Sequence, residues 1–213
     1  MWSGMEYFLV IAGYLIGSIP FGLVLGKCLG IDVRSAGSGN IGATNVNRLL
    51  GKKMGAITLL ADAGKAVLPM LAAAKILGNA PSVQFWVAAT GGAAFLGHLY
   101  PLYLKFKGGK GVATALGIFF YLQPLAVALC IVVFVAVVRV WGYVSLGSLI
   151  AAALMPILVF LFEGSGHKVY LAALVAGLIW LKHTENIRRL VNHEENSIRK
   201  KITLVKDEPA EKL

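Results

Sequence analysis

Apolar residues gather into six runs separated by short polar stretches: residues 7–25, 56–77, 83–104, 112–138, 141–162 and 169–181. A soluble core does not need several runs of roughly 20 residues, whereas crossing a bilayer does. Each run therefore reads as membrane helix. The 112–138 run is long for a single crossing and contains Gln123-Pro124, a pair that kinks or ends a helix.

Positive charge shows which ends of these helices share a side. Lys27, Arg34, Arg48, Lys52 and Lys53 follow the first run, Lys105, Lys107 and Lys110 follow the third, and Lys182 opens a basic C-terminal stretch. The positive-inside rule places all three regions in the cytoplasm. An even number of crossings must then separate Lys110 from Lys182, which requires a split at Pro124. The expected fold is an all-α integral membrane protein, a seven-transmembrane-helix bundle with two short helices around Pro124. Its N-terminus is out and its C-terminus in. Of the 20 Lys and Arg, all but Lys65, Lys75 and Lys168 then face the cytoplasm. A five-span arrangement, with 112–138 as a re-entrant pair, keeps the same loops inside.

Composition agrees. The 213 residues are 58% hydrophobic and 14% charged, with mean hydropathy +0.76, outside the range of ordinary soluble domains. Glu6 precedes the first run and no basic segment does, so that run reads as a permanent span rather than a signal peptide. Cys28 and Cys130 suggest neither a disulfide framework nor a metal site. Gly13/Gly17 and Gly22/Gly26/Gly30 have the spacing of close helix contacts. Asp62 and Lys65, inside the second run, read as an intramembrane ion pair. Residues 1–190 form one membrane domain and 191–213 a charged cytoplasmic tail. The part beyond Asn192 reads as a solvated, partly disordered extension.

Three polar clusters are not explained by apolar packing. In 35–48, Gly37, Gly39 and Gly42 allow backbone amides to converge on an anion, and Ser38, Asn40, Thr44 and Asn45 add side-chain donors. Arg48 shares a helical face with Thr44 and offers a bidentate fork. In 97–114, Lys107-Gly-Gly-Lys-Gly111 places glycines and lysines before a restarting helix, a second anion loop. In 183–189, His183 and Asn186 share a helical face beside Arg188 and Arg189.

Strong catalytic signatures are missing. None of the four histidines has Asp five residues later, and GxxxxGK[ST], HExxH and GxSxG strings are also absent. Phosphate clamps without an evident base suit a substrate that arrives activated, with the protein supplying position and charge.

The clusters resemble the signature regions of the bacterial PlsY family, the acyl-phosphate:glycerol-3-phosphate acyltransferases. The matching strings are Gly17-Ser-Ile-Pro-Phe-Gly22, Ser38 through Arg48, Gly97-His-Leu-Tyr-Pro through Thr114, and His183 through Arg189. Two places differ: Ala66 stands where the family usually has Gly, and the segment before Ser145 is spaced differently. The resemblance implies a seven-helix fold and transfer of a fatty acyl group from acyl phosphate to the 1-hydroxyl of sn-glycerol 3-phosphate. The products would be lysophosphatidic acid and phosphate, in the first acylation of phospholipid synthesis.

On that resemblance, the catalytic residues are Ser38, Arg48, Lys107, His183 and Asn186. Substrate contacts come from Gly39, Asn40, Ile41, Gly42, Ala43, Thr44, Asn45, Gly108, Gly109, Lys110, Gly111 and Ser145. A phosphate oxygen of the donor could take the hydroxyl proton, so no protein base is required. No metal or cofactor is called for. Expected partners are acyl phosphate, glycerol 3-phosphate, membrane lipid and the enzyme that makes the acyl phosphate, with no nucleic acid. The expected location is the bacterial inner membrane, with the site facing the cytoplasm. The rival reading is a transporter of a phosphorylated metabolite, which would use the same donors; the confinement of the clusters to one face counts against it.

Overall fold

The computed structural model describes residues 4–79 and 82–198. Among them the chain forms nine α-helices and no strand: α1 (Met5–Gly17), α2 (Phe21–Cys28), α3 (Ala43–Leu77), α4 (Val83–Leu99), α5 (Val112–Leu122), α6 (Pro124–Trp141), α7 (Val144–Glu163), α8 (His167–Lys182) and α9 (Thr184–Val191). Four stretches are long and apolar enough to cross a bilayer: Met5–Cys28, Ala43–Leu77, Pro124–Trp141 and Val144–Glu163. Their outward faces carry Phe8, Leu60, Leu68, Val132 and Leu161, all more than 60% exposed. A hydrocarbon solvent accounts for such faces, because water would not tolerate them at this density.

The breaks follow local chemistry. Pro20, which has no N–H, separates α1 from α2, and Ser18 Oγ donates to Tyr14 O at the end of α1 (2.8 Å). The split expected at Pro124 is present: Gln123 is not helical, and Pro124 begins α6 where its missing N–H costs nothing. Gly142, at φ 80°, closes α6 with its N–H on Val138 O. The third apolar run stops short of its expected end. Its helix finishes at Leu99, and Pro101 leads into a 3-10 turn at Leu102–Leu104.

The second span begins well before its apolar run. Gly51, at φ 85°, interrupts α3 and folds Ala43–Leu50 back, bringing Asn47 against Gly55. A Cβ on Gly55 would meet Asn47 Cβ at 2.5 Å.

Glycine spacing serves close approach only in part as expected. A Cβ on Gly17 would lie 2.2 Å from Ala94 O, so α1 and α4 touch backbone to backbone. Gly22 and Gly26 instead face the 31–46 loop, and Gly30 occupies a left-handed turn with open space around it. That loop is anchored by Leu23, Val33, Ile41 and Val46, a small apolar cluster separate from the main core. The main core joins α1, α3, α4, α5, α6, α7 and α8 through residues such as Phe95, Phe119, Met70 and Val159.

Candidate active site

The glycine-rich loop before α3 is organised around one side chain. Asn45 is buried, and its Oδ1 accepts the Ser38 amide (2.8 Å). Its Nδ2 donates to the carbonyls of Val33, Ala36 and Asn40 at 2.8, 3.2 and 2.9 Å. Asn40 Oδ1 in turn accepts the Gly42 amide (2.8 Å). Several amides that the sequence offered to an anion are thus used to shape the loop. Those of Ala43 and Thr44, at the start of α3, have no helical acceptor and border a cavity.

The second loop is spent similarly. The Gly108 and Gly109 amides donate to Leu99 O and His98 O, capping the end of α4. A Cβ on Gly109 would meet His98 Nε2 at 2.3 Å, so the loop lies directly on that ring. These glycines provide contact with α4 rather than a free nest. Only Lys110 and Gly111 of the loop reach the cavity; Lys107 is exposed outside it. Gly39 and Ile41 also fall outside, Ile41 being buried in the anchoring cluster.

The polar cavity, about 180 Å³, is lined by Ser38, Asn40, Thr44, Arg48, Lys110, Ser145, His183 and Asn186, with Gly42, Ala43, Asn45 and Gly111. Lys110 Nζ donates to Asn186 Oδ1. Burial pushes the Lys110 ammonium down to about 8, and Arg189 acts in the same direction against the opposing pull of Glu195. His183 Nδ1 donates to Ile179 O (2.8 Å), which assigns the proton to Nδ1 and leaves a lone pair on Nε2. Burial holds this imidazole at about 4, so it is neutral near pH 7.

Residues beyond the expected set also line the cavity. Glu195 lies in the segment read as a solvated tail, yet it is 9% exposed. It accepts from Ser145 Oγ (2.9 Å), Asn186 Nδ2 (2.7 Å) and Arg189 Nε (2.8 Å). Burial alone would raise the Glu195 carboxyl; the bonds from Asn186, Arg189 and Ser145 outweigh it and hold the group below its ordinary range. The segment is tied down further by the Ile198 amide on Gly142 O (2.9 Å). The remainder of the tail, 199–213, lies outside the described residues.

Asp62 and His98 complete one wall. Asp62 Oδ1 sits 2.8 Å from Lys65 Nζ and 3.6 Å from His98 Nδ1, all three groups buried. The approach is a charge contact without an aligned donor on Oδ1. Lys65 also donates to Ile19 O (3.0 Å) at the α1–α2 break. The expected ion pair is therefore present and is part of a larger cluster.

A second cavity, about 550 Å³ and almost wholly apolar, runs from this site among α3, α5, α6, α7 and α8. Ala43, Thr44, Val112, Ala113, Val144 and Ser148 line both. A basic, hydrogen-bonding chamber thus meets a hydrocarbon-lined one across a shared rim. No group of three or more His, Cys, Asp or Glu suited to a metal occurs among the described residues.

Comparison with known proteins agrees in length and fold. The family model for glycerol-3-phosphate acyltransferase matches residues 7–193. A protein of that name from Desulfotalea psychrophila is 49% identical over 197 residues, covering 92% of this chain and 100% of the relative. One from Geotalea daltonii is 51% identical over 191 residues, covering 90% and 96%. Two crystal structures of PlsY, an integral membrane glycerol 3-phosphate acyltransferase, are 41% identical to this chain. Its glycerol 3-phosphate form superposes with TM-score 0.85, covering 91% of this chain and 96% of that one. Its lysophosphatidic acid form gives 0.83, covering 91% and 95%.

Proposed function

The chain belongs to the glycerol-3-phosphate acyltransferase family, and on that premise we propose that its acyl donor is acyl phosphate and its product 1-acylglycerol 3-phosphate. The observation that carries this reading is the shared rim between the apolar and basic cavities. A fatty chain fits the first and phosphates fit the second, so the reacting carbonyl falls at the rim.

The roles then follow from chemistry. The donor phosphate sits against Ser38 and the Ala43 and Thr44 amides at the start of α3. Arg48 and Lys110 bracket the phosphate of the acceptor, with Asn186 held by Lys110 and Glu195. The Arg48 side chain makes no hydrogen bond or ion pair among the described residues and lines the cavity, which leaves its fork for a ligand. His183 Nε2 accepts a hydrogen bond from the 1-hydroxyl and aims it. With a pKa near 4 it is a weak base, better suited to orientation than to proton removal.

The hydroxyl oxygen attacks the acyl carbonyl, the new ester C–O bond forms, and the bond from carbon to the phosphate oxygen breaks. The hydroxyl proton passes to a phosphate oxygen of the donor, and inorganic phosphate departs against the cationic groups. No metal, cofactor or protein base enters the step.

We also assign seven crossings, with the N-terminus out, the C-terminus in and the polar cavity at the cytoplasmic face of the inner membrane. The basic residues around the cavity support this orientation. The test supplies purified protein with glycerol 3-phosphate and, in turn, acyl phosphate, acyl-CoA and acyl-carrier protein. The proposal expects ester and inorganic phosphate with the first donor alone; transfer from a thioester alone refutes it.

A further inference from the structure

Far from the rim, the apolar cavity runs up against buried core residues. Along α7 its bore is made by small residues, Ser148, Ala151 and Ala152, and Met155 is the first large side chain met beyond them; on α8 Ile179, Ala176, Val175 and Ala172 line it in turn. From the rim at Val144, Met155 lies about three turns deeper, roughly 16 Å along the helix. Trp180 Nε1 donates to Leu149 O (3.1 Å), which sets the register of antiparallel α8 and brings Ala172 within about one turn of Met155. Met155 and Ala172 are 9% and 1% exposed and belong to the continuous core, so along the direction of α7 and α8 the bore meets packed protein there.

That depth is close to one leaflet of a bilayer, half of a hydrocarbon core ~30 Å thick. Resting on the acyl-donor reading above, we propose that Met155 and Ala172 determine the longest acyl chain transferred efficiently. A methylene that reaches the floor has no further apolar volume along the bore, while each one buried before it strengthens binding by about fourfold. Discrimination thus falls at the floor, far from the reacting carbonyl.

The experiment measures kcat/KM for saturated acyl phosphates of increasing length. The readout is the ratio between a chain two carbons past the wild-type optimum and the optimum itself. Taken within one preparation, this ratio is independent of the folded fraction. Met155→Ala is expected to raise it by about tenfold and Ala172→Leu to lower it by a similar factor. Met155→Val, a milder change, moves the ratio upward and serves if Met155→Ala does not fold. Unchanged ratios in active variants overturn the inference while leaving the donor reading intact. A wild-type protein that accepts no acyl phosphate of any length overturns the donor reading and the inference with it.

Discussion

Lys110 Nζ donates a hydrogen bond to Asn186 Oδ1, joining the loop before α5 to helix α9 across 76 positions of sequence. The contact joins two segments that the sequence shows only separately, and the proposed function makes them one acceptor site. It also selects between two lysines. Lys107 and Lys110 flank the same glycine pair, but only Lys110 faces the cavity.

Lys110→Ala is accordingly expected to lower kcat/KM by about a hundredfold or more, the loss of a charged, partly buried clamp. Lys107→Ala is expected to stay within about fivefold, the effect of one exposed charge on encounter. Steady-state kinetics on both variants checks this. Equal losses would return Lys107 to the site.

Lys110 is also expected to set an alkaline limit on activity. With its pKa near 8, the free enzyme loses this charge as pH rises through 8, so kcat/KM should fall there. Lys110→Arg, which stays charged, should flatten that limb of the profile.

Acid acts on stability. His183 near 4 is well below the ~6.5 of an unfolded histidine, so the unfolded chain takes up a proton first. Stability from this group is complete above about 6.5 and is lost as pH falls toward 4, by up to about 3 kcal/mol. The depressed Glu195 carboxyl acts in the same sense at lower pH, its contribution fading as the unfolded carboxyl protonates. Melting in detergent from pH 7.5 to 4 should show the decline, and His183→Gln should remove the upper part of it.

The buried Asp62–Lys65 pair gives a sharper stability test. Asp62→Leu leaves Lys65 charged without its partner and is expected to cost about 3–5 kcal/mol. The double variant Asp62→Leu/Lys65→Met should recover most of that, a coupling that denaturation of the four proteins in the cycle would measure.

His193 adopts φ 59° at the turn leading to Glu195. This left-handed conformation costs a side-chain-bearing residue about 1 kcal/mol relative to glycine. His193→Gly should therefore raise the melting temperature by about 2–4 °C without altering kcat.

Much of this architecture was legible because the period and length of apolar runs report membrane helices directly, and Pro124 marks its own break. The donor-rich clusters were also legible as residue types. What each donor does was not. Asn45 and the Gly108–Gly109 amides look free in the sequence, but loop closure and the end of α4 consume them. Glu195 escaped because a carboxylate in a charged tail has no periodicity to betray burial. Its partners Ser145 and Asn186 are 50 and 9 positions away. Met155 and Ala172 look like any core residues until the void above them is seen.

The claim on which the rest depends is that a chain in the apolar cavity presents its carbonyl across the rim to an acceptor in the polar one. Ala113 lines both cavities, and Ala113→Phe would fill the passage between them. Glycerol 3-phosphate binding and acyl transfer should be measured on the same preparation of this variant. The account predicts binding within about threefold of wild type, which also reports a folded site, with transfer reduced at least about a hundredfold. Transfer at the wild-type rate with the passage filled would contradict it.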